Sequence, residues 1–168
     1  MAIKNEPKIT NREDINILRS QMEQRAQWLS FIMDEAEAKG VDIEEICRDA
    51  IYKVGCFRGA DIVKNAKDKS DLVEVSEYFK NHANYIAFEK EVVTATPDHL
   101  EIRHYHCPLV TGWQKAGKDE ATISKLCEIA MCGDHGMFTN IKDAKFTLAS
   151  TLADGDDCCT LILDREKK

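Results

Sequence analysis

The sequence predicts an α+β fold: N-terminal helices followed by a four-stranded antiparallel sheet made of two hairpins with intervening helices. Three observations predict it. Apolar residues recur at spacings of three and four through the first part of the chain, the period drops to two in two later stretches, and helical spacing returns between them.

The elements follow in order. The first ten residues are polar and predict a frayed start, with Asn11 as the N-cap of a first helix. Ile15, Leu18, Met22, Ala26, Leu29, Met33 and Ala36 then form one apolar stripe that stops at Lys39-Gly40, a C-terminal signal. Asp42, with Glu45 three residues on, reads as a capping-box variant opening a second helix through Ile46, Ala50, Ile51 and Val54. That helix crosses Gly55 and Gly59, spaced so that another helix or a ligand can approach its backbone. Ser70 is expected to cap a third helix carrying Leu72, Val75 and Phe79.

From Tyr85 the stretch IAFEKEVVTAT is rich in β-branched and aromatic residues, Pro97-Asp98 marks a turn, and HLEIRHYH alternates after it, which predicts a hairpin. Alternation puts Leu100, Ile102, His104 and His106 on one face and Glu101, Arg103, Tyr105 and Cys107 on the other. Pro108 ends the strand. A short helix and then a stronger one from Glu120 follow, and Gly133 reads as the end of the latter. KFTLASTLA, a turn around Asp154-Gly155 and CCTLILD form the closing hairpin.

Length and composition set the class. The 168 residues are 43% hydrophobic and 32% charged, with only 3 Pro and 8 Gly, which predicts a single domain over residues 1–168. With 23 basic and 30 acidic residues the net charge is −7, both signs interleaved, so no nucleic-acid partner is expected. No run approaches the ~18 apolar residues of a membrane span, and MAIKNEPKIT lacks the apolar core of an export signal, so a cytoplasmic protein is expected. The expected partner is a small-molecule substrate, and the composition also allows a homo-oligomer. Seven cysteines, an odd number in a chain without an export signal, predict free thiols rather than a disulfide framework.

The sequence carries no P-loop, dinucleotide glycine fingerprint, G-x-S-x-G elbow or C-x-x-C pair, and no cofactor is called for. Chemistry-bearing residues instead cluster late. Cys107 stands at a strand end before a turn and helix, where exposed backbone N–H groups favour a thiolate and a developing oxyanion, making it the candidate nucleophile. Asp134 and His135 follow Cys132 as candidate orienter and general acid or base. Asp154, Gly155, Asp156, Asp157, Cys158 and Cys159 crowd the last turn. As substrate-binding residues, Arg103 and Arg58 could fork to a carboxylate, with His106 beside the nucleophile; Arg103 is preferred because it shares strand parity with Cys107. A second arrangement gathers His104, His106 and His135 with Cys107 or Asp134 around zinc or iron, whereas the favoured arrangement has no metal. A third is a non-catalytic ligand-binding domain.

The segments HCPL at 106–109, Cys-x-Asp at 132–134 and STLADGDDCCTLIL at 150–163, with GCFRG at 55–59, resemble the L-2-amino-thiazoline-4-carboxylic acid hydrolase family from about Val54 to Leu163. The resemblance implies hydrolytic opening of a cyclic isothiourea, a thiol-dependent reaction. It implies catalytic roles for Cys107, Asp134, Asp156 and Cys159. The helices-then-hairpin order is also similar to the 4-vinyl-reductase-type and TRAPP-like small-molecule-binding fold, which implies the binding-only alternative.

Overall fold

The computed structural model describes residues 2–66, 68 and 71–166. Helix α1 spans Glu13–Ala38, α2 Glu44–Asn65, α3 Leu72–Lys80 and the single turn α4 Asn84–Ala87. Strands β1 (Lys90–Ala95) and β2 (His99–His104) form the first hairpin. Helices α5 (Pro108–Lys115) and α6 (Glu120–Phe138) follow, then β3 (Ala144–Ser150), a 3-10 turn at Leu152–Asp154, and β4 (Cys159–Arg165). The four strands make one antiparallel sheet in the order β1-β2-β4-β3, so the two hairpins lie side by side through the β2–β4 pairing. The α+β class and the two-hairpin sheet agree with the sequence reading.

Alternation decides which face the sheet buries. Leu100 and Ile102 of β2 and Cys159, Leu161 and Leu163 of β4 are buried and join Val75, Phe79, Trp113, Ile123 and Phe138 in the main core. The opposite face carries polar pairs, Arg103 with Glu101 and His99 with Asp164. The Trp113 indole N–H donates to the Ala26 carbonyl at 2.9 Å and fixes α5 against α1. Among the described residues no helix is long and apolar enough to cross a membrane.

Several boundaries differ from the sequence reading, each for a physical reason. Residues 5–9 are held in place and not frayed: Asn5 is buried, and the Ile9 N–H donates to Glu89 at 2.7 Å. Arg12, not Asn11, is the first cap, and Arg12 is tied to Asp14. Asp42 accepts the Glu44 N–H rather than closing a full capping box, and Ile43 is the cap residue. Ser70 lies outside the described residues; the α3 cap is Asp71, whose side chain accepts from the Val73 N–H. The segment after Tyr85 begins as the turn of α4, and the strand starts only at Lys90.

The largest difference is α6, which runs through Gly133 to Phe138. Gly133 does not end the helix because it belongs to a contact with α2. A Cβ on Gly55 would overlap the Gly133 carbonyl oxygen, and one on Gly136 would overlap that of Tyr52. Gly55 and Gly59 therefore serve a helix crossing at backbone distance. Asn140 adds a hydrogen bond to the Cys56 carbonyl across it at 3.2 Å. Overpacked sites typically cost ~1–3 kcal/mol, and backbone on both sides leaves little room to relax. Gly55→Ala should therefore lose roughly 3 kcal/mol in urea unfolding; a loss within ~0.5 kcal/mol, the range of ordinary surface changes, would show that the crossing is looser than described.

Candidate functional site

Local sequence sets the position of Cys107. A residue before proline is pushed into extended backbone, and Cys107 has φ −126° and ψ 107° as the N-cap of α5, with Pro108 at the first helical position. The N-terminal arm holds it there. The Cys107 N–H donates to the Asn5 side-chain oxygen at 2.7 Å, and the Asn5 side-chain N–H donates to the Cys107 carbonyl at 2.9 Å. Asn5 Nδ2 also donates to Thr111, and the His106 ring N–H donates to the Asn5 carbonyl at 2.8 Å. The arm is fixed in turn by the buried Arg19–Glu89 ion pair at 3.0 Å, with Arg19 also donating to the carbonyls of Ile9 and Ala87.

Cys107 opens onto a cavity of about 480 Å³. Its walls come from all six helices and from β1, β2 and β4, and they are mainly apolar: Leu29, Val54, Phe79, Phe88, Met131 and Leu161 among others. Polar side chains interrupt the apolar lining, Asp61, Tyr78, His82, Asn84 and Tyr85 among them. Asp134 reaches it from α6, Lys90 from β1, His104 from β2, and Arg25 and Arg58 from α1 and α2.

Burial dominates the electrostatics. It pushes the Cys107 thiol up, while the N–H groups of Leu109 and Val110 face the sulfur and work the other way, as does Arg25. Burial raises Asp134 also, against the pull of Lys90 and Arg58. Lys90 is pushed down to about 8, chiefly by loss of water, with Asp134 opposing. Its ammonium lies over the Phe79 and Phe88 rings at 5.2 and 5.3 Å. Burial holds His104 well below its ordinary value and so neutral, and its Nε2 is buried without a hydrogen-bond partner among the described residues.

The cavity brings together five of the sequence-selected residues: Cys107, Asp134, Cys159, Arg58 and His104. Four others lie elsewhere. Because α6 continues, His135 is turned by ~100° from Asp134; it is exposed and sits edge-on to Phe146 at 5.0 Å. Asp156 accepts the Thr151 N–H at 2.8 Å and locks the β3–β4 turn, alongside Asp154 bonded to Thr151 and Ser124. The same turn directs the Leu152 N–H to the Cys159 sulfur at 3.3 Å. Arg103 faces away and pairs with Glu101, because β2 ends at His104 and strand parity does not extend to Cys107. His106 is buried under the Asn5 arm. The three histidines of the metal arrangement are thus dispersed, and no group of three or more metal-ligating side chains occurs among the described residues.

Sequence reasoning missed Asn5, Arg25 and Lys90. Lys90 stands in a polar-looking EKE run, and Arg25 on an ordinary helix face. For Asn5 and His104 the only signal was residue type, and His104 entered as a metal ligand alone.

Lys90 has a stability consequence. Its proton is held less tightly in the folded chain, about 8 against an ordinary 10.5, so below pH 8 folding must bury the charge. Lys90→Met should be more stable than the parent at pH 7, by up to about 3 kcal/mol at 1.36 kcal/mol per unit. The advantage should shrink as pH rises from 8 to 10.5. A pH-independent difference in urea unfolding would remove Lys90 from the desolvated wall.

Comparison with known proteins supplies the context. No curated protein matches the chain. A solved structure of a trafficking protein particle complex subunit 3 from Naegleria fowleri, covalently bound to palmitic acid, superposes with a TM-score of 0.57 at 11% identity. The match covers 89% of this chain and 97% of that one, and it establishes likeness of fold. The model of the L-2-amino-thiazoline-4-carboxylic acid hydrolases matches residues 19–163, and the chain belongs to that family.

Proposed function

We propose that this member of a hydrolase family uses Cys107 as a nucleophile on a small, carboxylate-bearing substrate, opening a C–N or C–S bond at an amidine-like or amide-like carbon. One observation carries the reading: the Cys107 sulfur, at the N-terminus of α5, shares a mainly apolar cavity with Asp134, Lys90 and Arg58.

Because burial favours the thiol over the thiolate, attack needs a base. Lys90, held near 8, has a share of free amine in mildly alkaline solution and takes the proton. Sulfur bonds to the substrate carbon as the C=N or C=O electron pair moves to its heteroatom. The Leu109 and Val110 N–H groups are the available donors to charge developing there. The ring C–S or C–N bond then breaks, and the Lys90 ammonium returns the proton to the leaving atom. Water adds to the thio-linked carbon, and Cys107 leaves as the thiol. Asp134 stabilises the Lys90 ammonium between these steps, and Arg58 holds the substrate carboxylate.

A binding-only reading draws support from the apolar walls and from the fold shared with a palmitate-bound protein. Turnover separates the two. With cyclic isothiourea carboxylates as substrates, Cys107→Ser should lose activity by roughly 10³ or more while keeping its circular dichroism spectrum. For the parent, kcat/KM should rise as pH passes about 8, and Lys90→Met should flatten that limb. Full activity in Cys107→Ser would end the thiol mechanism.

A further inference from the structure

The cavity is larger and less polar than a small ring acid requires. At ~30 Å³ per water, its volume of about 480 Å³ corresponds to roughly sixteen waters. It lies within the ~300–1,000 Å³ that drug-sized ligands fill. A five-membered ring with one carboxylate would leave most of Leu29, Met131 and Met137 facing empty space or water, and apolar cavities do not hold water well. The methionines give those walls an adaptable surface.

Two arginines stand on the exposed part of the lining. Arg25 and Arg58 are exposed yet line the cavity, as does Val54, which is 54% exposed. Burial and the field of Arg58 make the Arg25 charge less favourable, and Cys107 and Asp134 oppose them. Neither arginine makes an ion pair with a carboxylate among the described residues. Two guanidinium groups that repel each other at the opening of an apolar cavity form a site for an anion, which removes the repulsion. Also on the cavity wall is the buried His104 Nε2, a polar atom with no hydrogen-bond partner among the described residues.

We infer that the ligand of this cavity is an amphipathic anion, a carboxylic acid or acyl derivative whose acid group is held by Arg25 and Arg58 at the entrance and whose apolar body extends inward past His104 and Cys107. The inference rests on reading this cavity as the substrate site and widens its substrate from a small ring acid to one with a substantial apolar arm. It does not depend on turnover.

Calorimetric titration of the full chain with decanoate, butyrate and 1-decanol tests it. Decanoate should bind, with butyrate at least roughly 100-fold weaker, because each buried methylene adds several-fold to affinity. The alcohol should be about tenfold or more weaker than the acid, since it lacks the charge-assisted bonds. Arg25→Gln/Arg58→Gln, both at exposed positions, should erase the preference for acid over alcohol and leave 1-decanol affinity unchanged. Equal binding of butyrate and decanoate, equal binding of acid and alcohol in the parent, or no binding at all would each overturn the inference. The catalytic reading fails separately. Decanoate binding without turnover of any ring acid or decanoyl amide would remove the hydrolase and keep the amphipathic ligand. Cys107-dependent turnover of ring acids that decanoate does not inhibit would do the reverse.

Discussion

The contact of α2 with α6 at backbone distance is the constraint on which the rest of the molecule depends. Helix α6 lies on the sheet, and its glycines and those of α2 remove the side chains that would otherwise separate the two helices. Helix α1 packs chiefly on α5, not on α2. The two long N-terminal helices thus lean on different partners, and the space between them is the cavity. A side chain at the crossing would push α2 outward and change the wall that carries Ile51, Val54 and Arg58. A seam without side chains thereby sets the width of a site whose chemistry lies elsewhere.

Within that space the chain holds titratable groups away from water. Lys90 is an ammonium among phenylalanines, His104 a neutral imidazole with an unsatisfied nitrogen, and Cys107 a thiol beneath helix N–H groups that favour its anion. Each is costly to the folded state alone. Lys90 and Asp134 act on each other across the cavity, each favouring the other's charged form, and a drier site strengthens that coupling.

How much of this was legible in the sequence follows from which signals were local. Helical and strand periods are local, and they fixed the element order and the two hairpins. The pairing of cysteine with proline is local too, and it located the α5 cap. Gly133 misled because a glycine after an apolar run ordinarily stops a helix, whereas here a neighbouring helix 80 residues earlier keeps it going; that single misreading moved Asp134 and His135 together, though only one faces the cavity. The acids of the last turn read as catalytic candidates by type and through the resemblance, but Asp154 and Asp156 hold the backbone of their own turn, as acids in turns commonly do. Asn5, Arg25 and Lys90 had no local signature, because their roles come from partners far away in the chain.

The Asn5 clasp has a consequence for how the protein is made. Its two hydrogen bonds to Cys107 join residues 102 apart, and contacts of such separation close late, after the entropy of the intervening loop has been overcome. During synthesis the arm emerges first and waits, while the sulfur it will position is still to be translated. Until α1 has docked on α5 and Arg19 has found Glu89, the Cys107 thiol lies in an unpinned turn with neither its helix cap nor its cavity. The Cys107 end of the cavity is thus assembled by a closure of long sequence separation, and until then the thiol is held by neither the clasp nor the cavity wall.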